Sequence, residues 1–370
     1  MPLFSILIPT RNRAQLLRFA LESLRRQTFR DFEVIISDDH STDDTPQVVT
    51  SFGDERFRLV HPSKPLTMSE HYDFVASHAH GEYINFLPDR NVLYRSALAA
   101  LAELIEKEKP ELIGWNNDRY DDAKTERREF HQFQRSGRLV EYSSADLLRL
   151  HYDFHLGAVN FSVASPASST CHRSVVEKIK KRTGGRLIVP HIPDITYSLS
   201  VLAMAEKFFY LDHSLSVGAG YAASVGANLS RTREDGMRRL LGPDGVVGRY
   251  TPCKDLMINA NLVADDLIAL KEIYPEVLGM YELNFVRYFE KLIIDISNIE
   301  ASGGDATREW QLFDDGLAKM SPEIRLHVSN MLLAFRLRRK NPLFARERVI
   351  SCNAAPVLDA VAWAEANPVQ

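Results

Sequence analysis

The 370-residue sequence predicts an α/β protein with a mostly parallel central sheet flanked by helices, followed by a helical C-terminal region. Three observations carry this. Short apolar runs alternate with amphipathic helical stretches through roughly the first third of the chain. Polar, charged clusters close three of those runs, at the strand ends where such sheets bind ligands. Beyond about Gly248, strand-like runs almost vanish.

The elements follow in order. "LFSILIP" is a buried strand, short, apolar and ended by proline. "NRAQLLRFALESLRRQ" places Leu17, Ala20, Leu21 and Leu24 on one helical face, and Asn12 with Gln15 is the expected capping pair at its start. "FEVIIS" and "RFRLVH" are the second and third strands, with a short helix over "STDDTPQVVTSF" between them. "TMSEHYDFVASHAH" is helical, "EYINFL" the fourth strand, "RSALAALAELIEKE" a helix and "ELIGWN" the fifth strand. From Arg119 to Gly137 the chain is highly charged, with hairpin or loop character, and a mixed region follows. The turn-rich "GPDGVVGRYTPCK" marks a boundary, which gives two domains, 1–248 and 249–370. In the second, "YELNFVRYFEKLIIDISNI" sets Val286, Phe289, Ile293 and Ile296 on one stripe; "EIRLHVSNMLLAFRLRRK" and "APVLDAVAWAEA" are also helical.

Composition excludes several classes. Apolar residues are 45% and charged residues 25% of the chain, as in an ordinary globular protein. A net charge of −4 gives no case for nucleic acid. Cys171, Cys253 and Cys352 are far apart and form neither a zinc motif nor a disulfide framework, which fits a reducing compartment. The N-terminus lacks a basic segment and a cleavage site, and no apolar run approaches the roughly 18 residues of a membrane span. The expected location is cytoplasmic, with any membrane contact peripheral, at the inner face. The basic run Arg336, Arg338, Arg339 and Lys340 is a solvated face by default and a lipid-headgroup contact as the sharper reading.

Three motifs stand in order at strand ends: "SILIPTRNR", "VIISDDHSTDDT" and "GEYINFLPDRNVL". Together they resemble the family 2 nucleotide-diphospho-sugar glycosyltransferases, which have the GT-A fold. The resemblance is good over the first third and loose over the middle third. It implies that Pro9, Thr10 and Arg11 line a nucleoside pocket. It also implies that Asp39 accepts a hydrogen bond from the base, typically uracil, as an acceptor-only carboxylate can. Asp38 would support the same loop. Read alone, Asp38, Asp39 and Ser41 would simply make a turn and cap a helix.

The resemblance further implies an acidic general base near a later helix start. "VPHIPDITYSLSVLAMA" supplies Asp194, where a helix N-terminus favours the ionised form a base needs. The plain alternative is an N-cap. His191, nearby, is either a substrate contact or a surface residue. Downstream, Gly218, Gly220 and Ala223 fit GxGxxA, but no βαβ unit opens there, so neither a nicotinamide nor a flavin cofactor is expected. The stretch reads as a glycine-rich lid, whose Arg231 and Arg233 either approach a diphosphate or begin a solvated helix. His78 with His80, and His151 with His155, are read as non-metal histidines.

The third motif departs from the family. Pro88 and Arg90 take the positions where acidic residues usually lead to a divalent ion, manganese or magnesium. Arginine has no acceptor and keeps its proton, so it cannot ligate one. It can instead grip phosphate oxygens. Asp89 is the metal ligand if an ion binds at all; otherwise it contacts ribose or orients Arg90.

The function so implied is an inverting glycosyltransferase moving a sugar from a nucleotide-diphosphate donor, a UDP-sugar, to a glycan or lipid-linked acceptor in bacterial surface glycan synthesis. The rivals are a nucleotidyltransferase, which lacks its glycine-rich loop here, and a non-catalytic sugar-nucleotide-binding or scaffold protein, for which "PDRN" is the best argument. The apolar stripes of the C-terminal region pack on one another or on a second copy of the chain, which leaves a homo-oligomer open.

Overall fold

The structure is a computed structural model, and it describes residues 1–121, 129–133, 135–155, 164–189, 192–219, 248–338 and 350–351. It opens with β1 (Phe4–Thr10), α1 (Ala14–Arg25), β2 (Phe32–Asp38), α2 (Thr45–Ser51), β3 (Phe57–Val60), α3 (Met68–Ser77) and β4 (Tyr83–Phe86). Then come β5 (Asn91–Leu93), α4 (Ala97–Glu108), β6 (Leu112–Asp121), β7 (Glu129–His131), β8 (Leu139–Ser143), α5 (Ser144–Tyr152), β9 (Ser169–His172), α6 (Arg173–Arg182), α7 (Pro193–Met204) and β10 (Lys207–Gly218). The C-terminal region is α8 (Asn259–Ile273), α9 (Pro275–Leu278), α10 (Phe285–Ala301), α11 (Thr307–Leu317) and α12 (Pro322–Arg338), with a short β11 (Ile350–Ser351).

Among the described residues one sheet runs β3-β2-β1-β4-β9-β6-β7-β11, with β10 paired to β5, β6 and β8. The β3-β2-β1-β4 half is parallel throughout. Beyond β4 the sheet is mixed: β9 runs antiparallel between β4 and β6, and β10 is parallel to β6 but antiparallel to β5 and β8.

Strand alternation sends residues to two cores. Phe4, Ile6 and Ile8 of β1 pack with Leu17, Leu21 and Leu24 of α1 and with Leu98 and Leu101 of α4. Leu7, on the opposite face, belongs to a second core with α3, α5, α6 and α7. Leu267 and Leu270 of α8, Phe289 and Ile293 of α10, and Phe313 of α11 extend that same core. Tyr281 stacks on Tyr152 at 5.4 Å, and Tyr288 meets Phe154 edge-on at 6.0 Å. The expected stripe of α10 is buried at Phe289, Ile293 and Ile296 and half-buried at Val286, and α10 packs against α8 and α12 while α8 packs on α7.

One local expectation is corrected. α1 begins at Ala14 with no side-chain cap from its N-cap residue, so Asn12 and Gln15 are not its capping pair. Asp43 accepts the Ala14 N–H instead, at 3.0 Å. The "NVL" after "PDR" is strand β5, which pairs with β10. The expected helix at "APVLDAVAWAEA", Cys352, Arg339 and Lys340 lie outside the described residues.

Candidate active site

The parallel register sets Pro9 beside Ser37 and Thr10 beside Asp38, so the first two motifs end side by side. The Asp39 N–H donates to the Thr10 carbonyl at 3.0 Å and closes the two strand ends together. The chain then turns at Asn12, whose φ of +53° is the left-handed conformation asparagine tolerates. Its side-chain oxygen accepts the Thr42 N–H at 2.7 Å, and its own N–H donates to Ser41 Oγ at 2.8 Å.

That turn aims two arginines inward. Arg11 Nη1 donates to Asp39 Oδ2 at 3.1 Å, and Arg13 Nη1 to Asp89 Oδ1 at 3.0 Å. Thr10 Oγ1 donates to Asp89 Oδ2 at 2.8 Å. Asp39 Oδ1 accepts the Leu66 N–H at 3.1 Å, and Asp38 Oδ1 accepts the Ser41 N–H at 3.1 Å. Pro9, Thr10, Arg11, Asp38, Asp39 and Asp89 are therefore gathered at the carboxyl ends of β1, β2 and β4. Below them His71 of α3 lies against the Ser37 carbonyl and Oγ, at 3.1 and 2.8 Å. Burial lowers its pKa against the pull of Asp39, Asp89 and Asp38, so the ring is neutral near pH 7.

Arg90 follows Asp89 in the β4–β5 turn. Its Nη1 donates to the Ala219 carbonyl at 3.0 Å, just past the end of β10. Asp194 is the second residue of α7, whose N-cap is Ile192, so it is not itself the cap. As a residue it is open to solvent, yet enough protein surrounds the carboxyl that burial raises its pKa. The nearby Arg90 charge pulls that pKa back down. Tyr72 of α3 sits where these groups converge. Burial raises the phenol's pKa, Asp194 and Asp89 raise it further, and Arg90 and Arg13 oppose them. Its ring stacks on Phe86 at 4.9 Å, and Phe86 meets Tyr197 of α7 edge-on at 5.7 Å.

Residues 5–179 of this chain match the family described as Glycosyl transferase family 2. This part of the chain belongs to that family. The matching region of the family 2 domain holds both aspartate motifs, whereas Asp194 lies just beyond it. The chain is 35% identical over 106 residues to the GalNAc(5)-diNAcBac-PP-undecaprenol beta-1,3-glucosyltransferase of Campylobacter jejuni, covering 28% of this chain and 34% of that protein. It is 55% identical over 60 residues to the validoxylamine A glucosyltransferase of Streptomyces hygroscopicus, covering 16% of this chain and 14% of that protein. The matches thus span about a third or less of these relatives. In three dimensions the chain resembles S. aureus TarS 1-349 in complex with UDP-GlcNAc, with a TM-score of 0.50 at 14% identity, covering 95% of this chain and 97% of that one. That likeness shows the fold, a GT-A-like α/β sheet carrying a helical C-terminal region.

Many GT-A enzymes of this kind use a divalent ion, and the residues here do not fit one. Asp89 already accepts from Thr10 on one oxygen and from the cationic Arg13 on the other, and the next residue is the cationic Arg90. A divalent ion needs several free oxygen ligands. No group of three or more His, Cys, Asp or Glu suited to a metal occurs among the described residues. His151 is buried with its Nδ1 against the Leu147 carbonyl at 2.9 Å, and His78 Nδ1 lies 2.9 Å from the Phe74 carbonyl.

The described family 2 site contains residues the sequence did not single out. Arg13 stood in view in "PTRNR", but its reach to Asp89 is a tertiary contact with no spacing signal. Tyr72 and His71 look like ordinary residues of an amphipathic helix. Arg231, Arg233, His191, Gly220 and Ala223 lie outside the described residues.

Proposed function

We propose that the chain is an inverting glycosyltransferase that moves a sugar from a nucleotide-diphosphate donor, a UDP-sugar, to an acceptor hydroxyl. The observation that carries this is the convergence of Asp194 and Arg90 on the Thr10–Asp39–Asp89 cluster at the strand ends of a family 2 domain. Asp39 accepts from the nucleobase. It accepts from Arg11 and from the Leu66 N–H, and a carboxylate offers about four lone-pair sites, so capacity remains. Asp38 holds the loop, and Pro9, Thr10 and Arg11 line the nucleoside pocket.

Asp194 takes the proton from the acceptor hydroxyl. The acceptor oxygen forms its bond to the anomeric carbon as the bond to the diphosphate breaks, and that electron pair leaves with the diphosphate. One displacement inverts the configuration. Arg90, with Arg231 or Arg233 as a second cation from outside the described residues, balances the charge of the leaving diphosphate, the electrostatic work a divalent ion would otherwise do. A pKa raised by burial suits a base, since a stronger base accepts a proton more readily.

A UDP donor is supported by the fold shared with the UDP-GlcNAc complex of TarS, and a glycan or lipid-linked acceptor by the PP-undecaprenol in the Campylobacter relative's name. Bacterial surface glycan synthesis is the setting proposed. No helix among the described residues is long and apolar enough to cross a membrane, so contact with the inner membrane face would be peripheral. The catalytic domain is placed at 1–248 and the helical domain at 249–370. Calorimetry with UDP, with UDP release measured from UDP-glucose and UDP-GlcNAc, tests the proposal. Absence of UDP binding would refute the donor assignment, and binding with no turnover across donors and acceptors would favour the scaffold reading.

A further inference from the structure

We infer that Asp266, in the helical C-terminal region, is a positioning residue for Asp194. The inference rests on the reading of Asp194 as the base. Asp266 is completely buried in α8, and its Oδ2 accepts the N–H of Ile192 at 2.8 Å. Ile192 is the N-cap of α7, two residues before Asp194. The carbonyl of the same residue accepts the Thr196 N–H and the Thr196 hydroxyl, both at 2.9 Å, and so starts the helix. One carboxylate from a distant segment thereby fixes the peptide from which the Asp194 turn is launched.

A second carboxylate holds the approach. Asp73 of α3 accepts the N–H groups of Leu187 and Ile188 at 2.6 and 3.0 Å, and binds Arg186 Nε at 3.1 Å. The chain leading into α7 is thus held from α3 at 187–188 and from α8 at 192. Asp265, beside Asp266, accepts the N–H groups of Arg249, Tyr250 and Thr251 at 3.3, 2.6 and 3.2 Å, and anchors the chain where the C-terminal region begins. Two adjacent buried aspartates on one helix therefore fasten two chain segments, the one entering α7 and the one entering the C-terminal region. A buried carboxylate is costly unless its oxygens are hydrogen-bonded, so an aspartate on an apolar helix face is the mark of a specific partner. The C-terminal helices are, on this view, part of the active-site frame.

The test compares Asp266→Asn, which keeps an oxygen acceptor, with Asp266→Leu, which removes it at similar volume, in the full chain. Amide exchange over 192–198 should accelerate in Asp266→Leu by about tenfold or more as the local hold is lost, with 4–10 and 32–38 unchanged. UDP affinity by calorimetry should stay at wild type, while UDP release from UDP-glucose falls on the order of 10²-fold, the scale of a small misplacement of a catalytic group. Asp266→Asn should behave as wild type in all three. Unchanged exchange at 192–198 overturns the inference, as does parallel loss of UDP binding and turnover. Should Asp266→Leu fail to fold, Asp73→Ala releases the other hold, and unchanged exchange over 187–198 there overturns it. Asp194→Asn separates the two readings: if it leaves UDP release intact while exchange responds to Asp266→Leu, the base assignment fails and the anchoring stands.

Discussion

Arg13 Nη1 lies 3.0 Å from Asp89 Oδ1, across 76 residues of sequence, and Thr10 holds the other oxygen of the same carboxylate. The aspartate that a metal-dependent enzyme would offer to an ion here ties the β1 turn to the β4–β5 turn. UDP binding should therefore be the same in a chelator as in manganese. Calorimetry in both conditions checks this, and a strict manganese requirement would overturn it. Arg13→Ala frees Asp89 Oδ1 and should loosen UDP binding through the shifted turn.

Asp194→Asn should leave UDP binding nearly intact and cut turnover by about 10²–10⁴-fold, the usual loss of general-base help. The sign of the stability change also follows. The folded pKa is raised above the unfolded value, so the ionised carboxylate destabilises the fold above that folded pKa, and stability is regained as pH falls through it. The uncharged asparagine should consequently raise Tm at neutral pH. A variant with both full activity and unchanged Tm would contradict the assignment.

Arg90 favours the ionised form of Asp194. Arg90→Ala should shift the acid limb of kcat to higher pH, because fewer molecules then carry the charged base at a given pH. Turnover at the plateau should fall as well, through lost support of the diphosphate. A pH profile that keeps its acid limb would separate Arg90 from the base.

Asp39→Ala should weaken UDP binding by about 1–3 kcal/mol, the scale of a charge-assisted hydrogen bond. The variant also strands the Leu66 N–H and Arg11, so UDP affinity should be compared with that of Asp39→Asn, which keeps an acceptor. Equal affinity in wild type and alanine variant would remove Asp39 from the nucleoside pocket.

Deleting residues after Gly248 should give an aggregating fragment. It strips Tyr281 from Tyr152 and Tyr288 from Phe154, and each such fully buried large side chain contributes roughly 1.5–3 kcal/mol. The exposed face would be a contiguous apolar patch. Light scattering decides it; a soluble, active fragment would count against the packing described.

The parallel half of the sheet was legible because each strand is a short apolar run that ends in polar residues, as "LFSILIP" before "TRNR" does. The strands β5 and β9 were not, since "NVL" and "STCH" are too short to show a period and exist only through their partners. That Asp39, Asp89 and Arg90 stand at the strand ends could be read from motif order. Arg13 could not be assigned, because its role depends on a left-handed turn at Asn12 that sequence does not announce. Asp266 did leave a trace: Leu262, Asp266 and Leu270 are spaced by four, so the aspartate falls on a buried face of α8.

The pairing of β6 with β10 has a consequence for how the chain is made. As the polypeptide leaves the ribosome, β1 to β4 and their helices are complete within the first stretch of synthesis and can settle as a parallel unit. The β6 edge must then wait for β10, almost a hundred residues later by the register of Ile113 with Phe209. Until then its backbone is an open template for another nascent chain. Slow translation or low temperature between these two points should decide the yield of folded protein, and the α8 helix that holds Ile192 arrives later still.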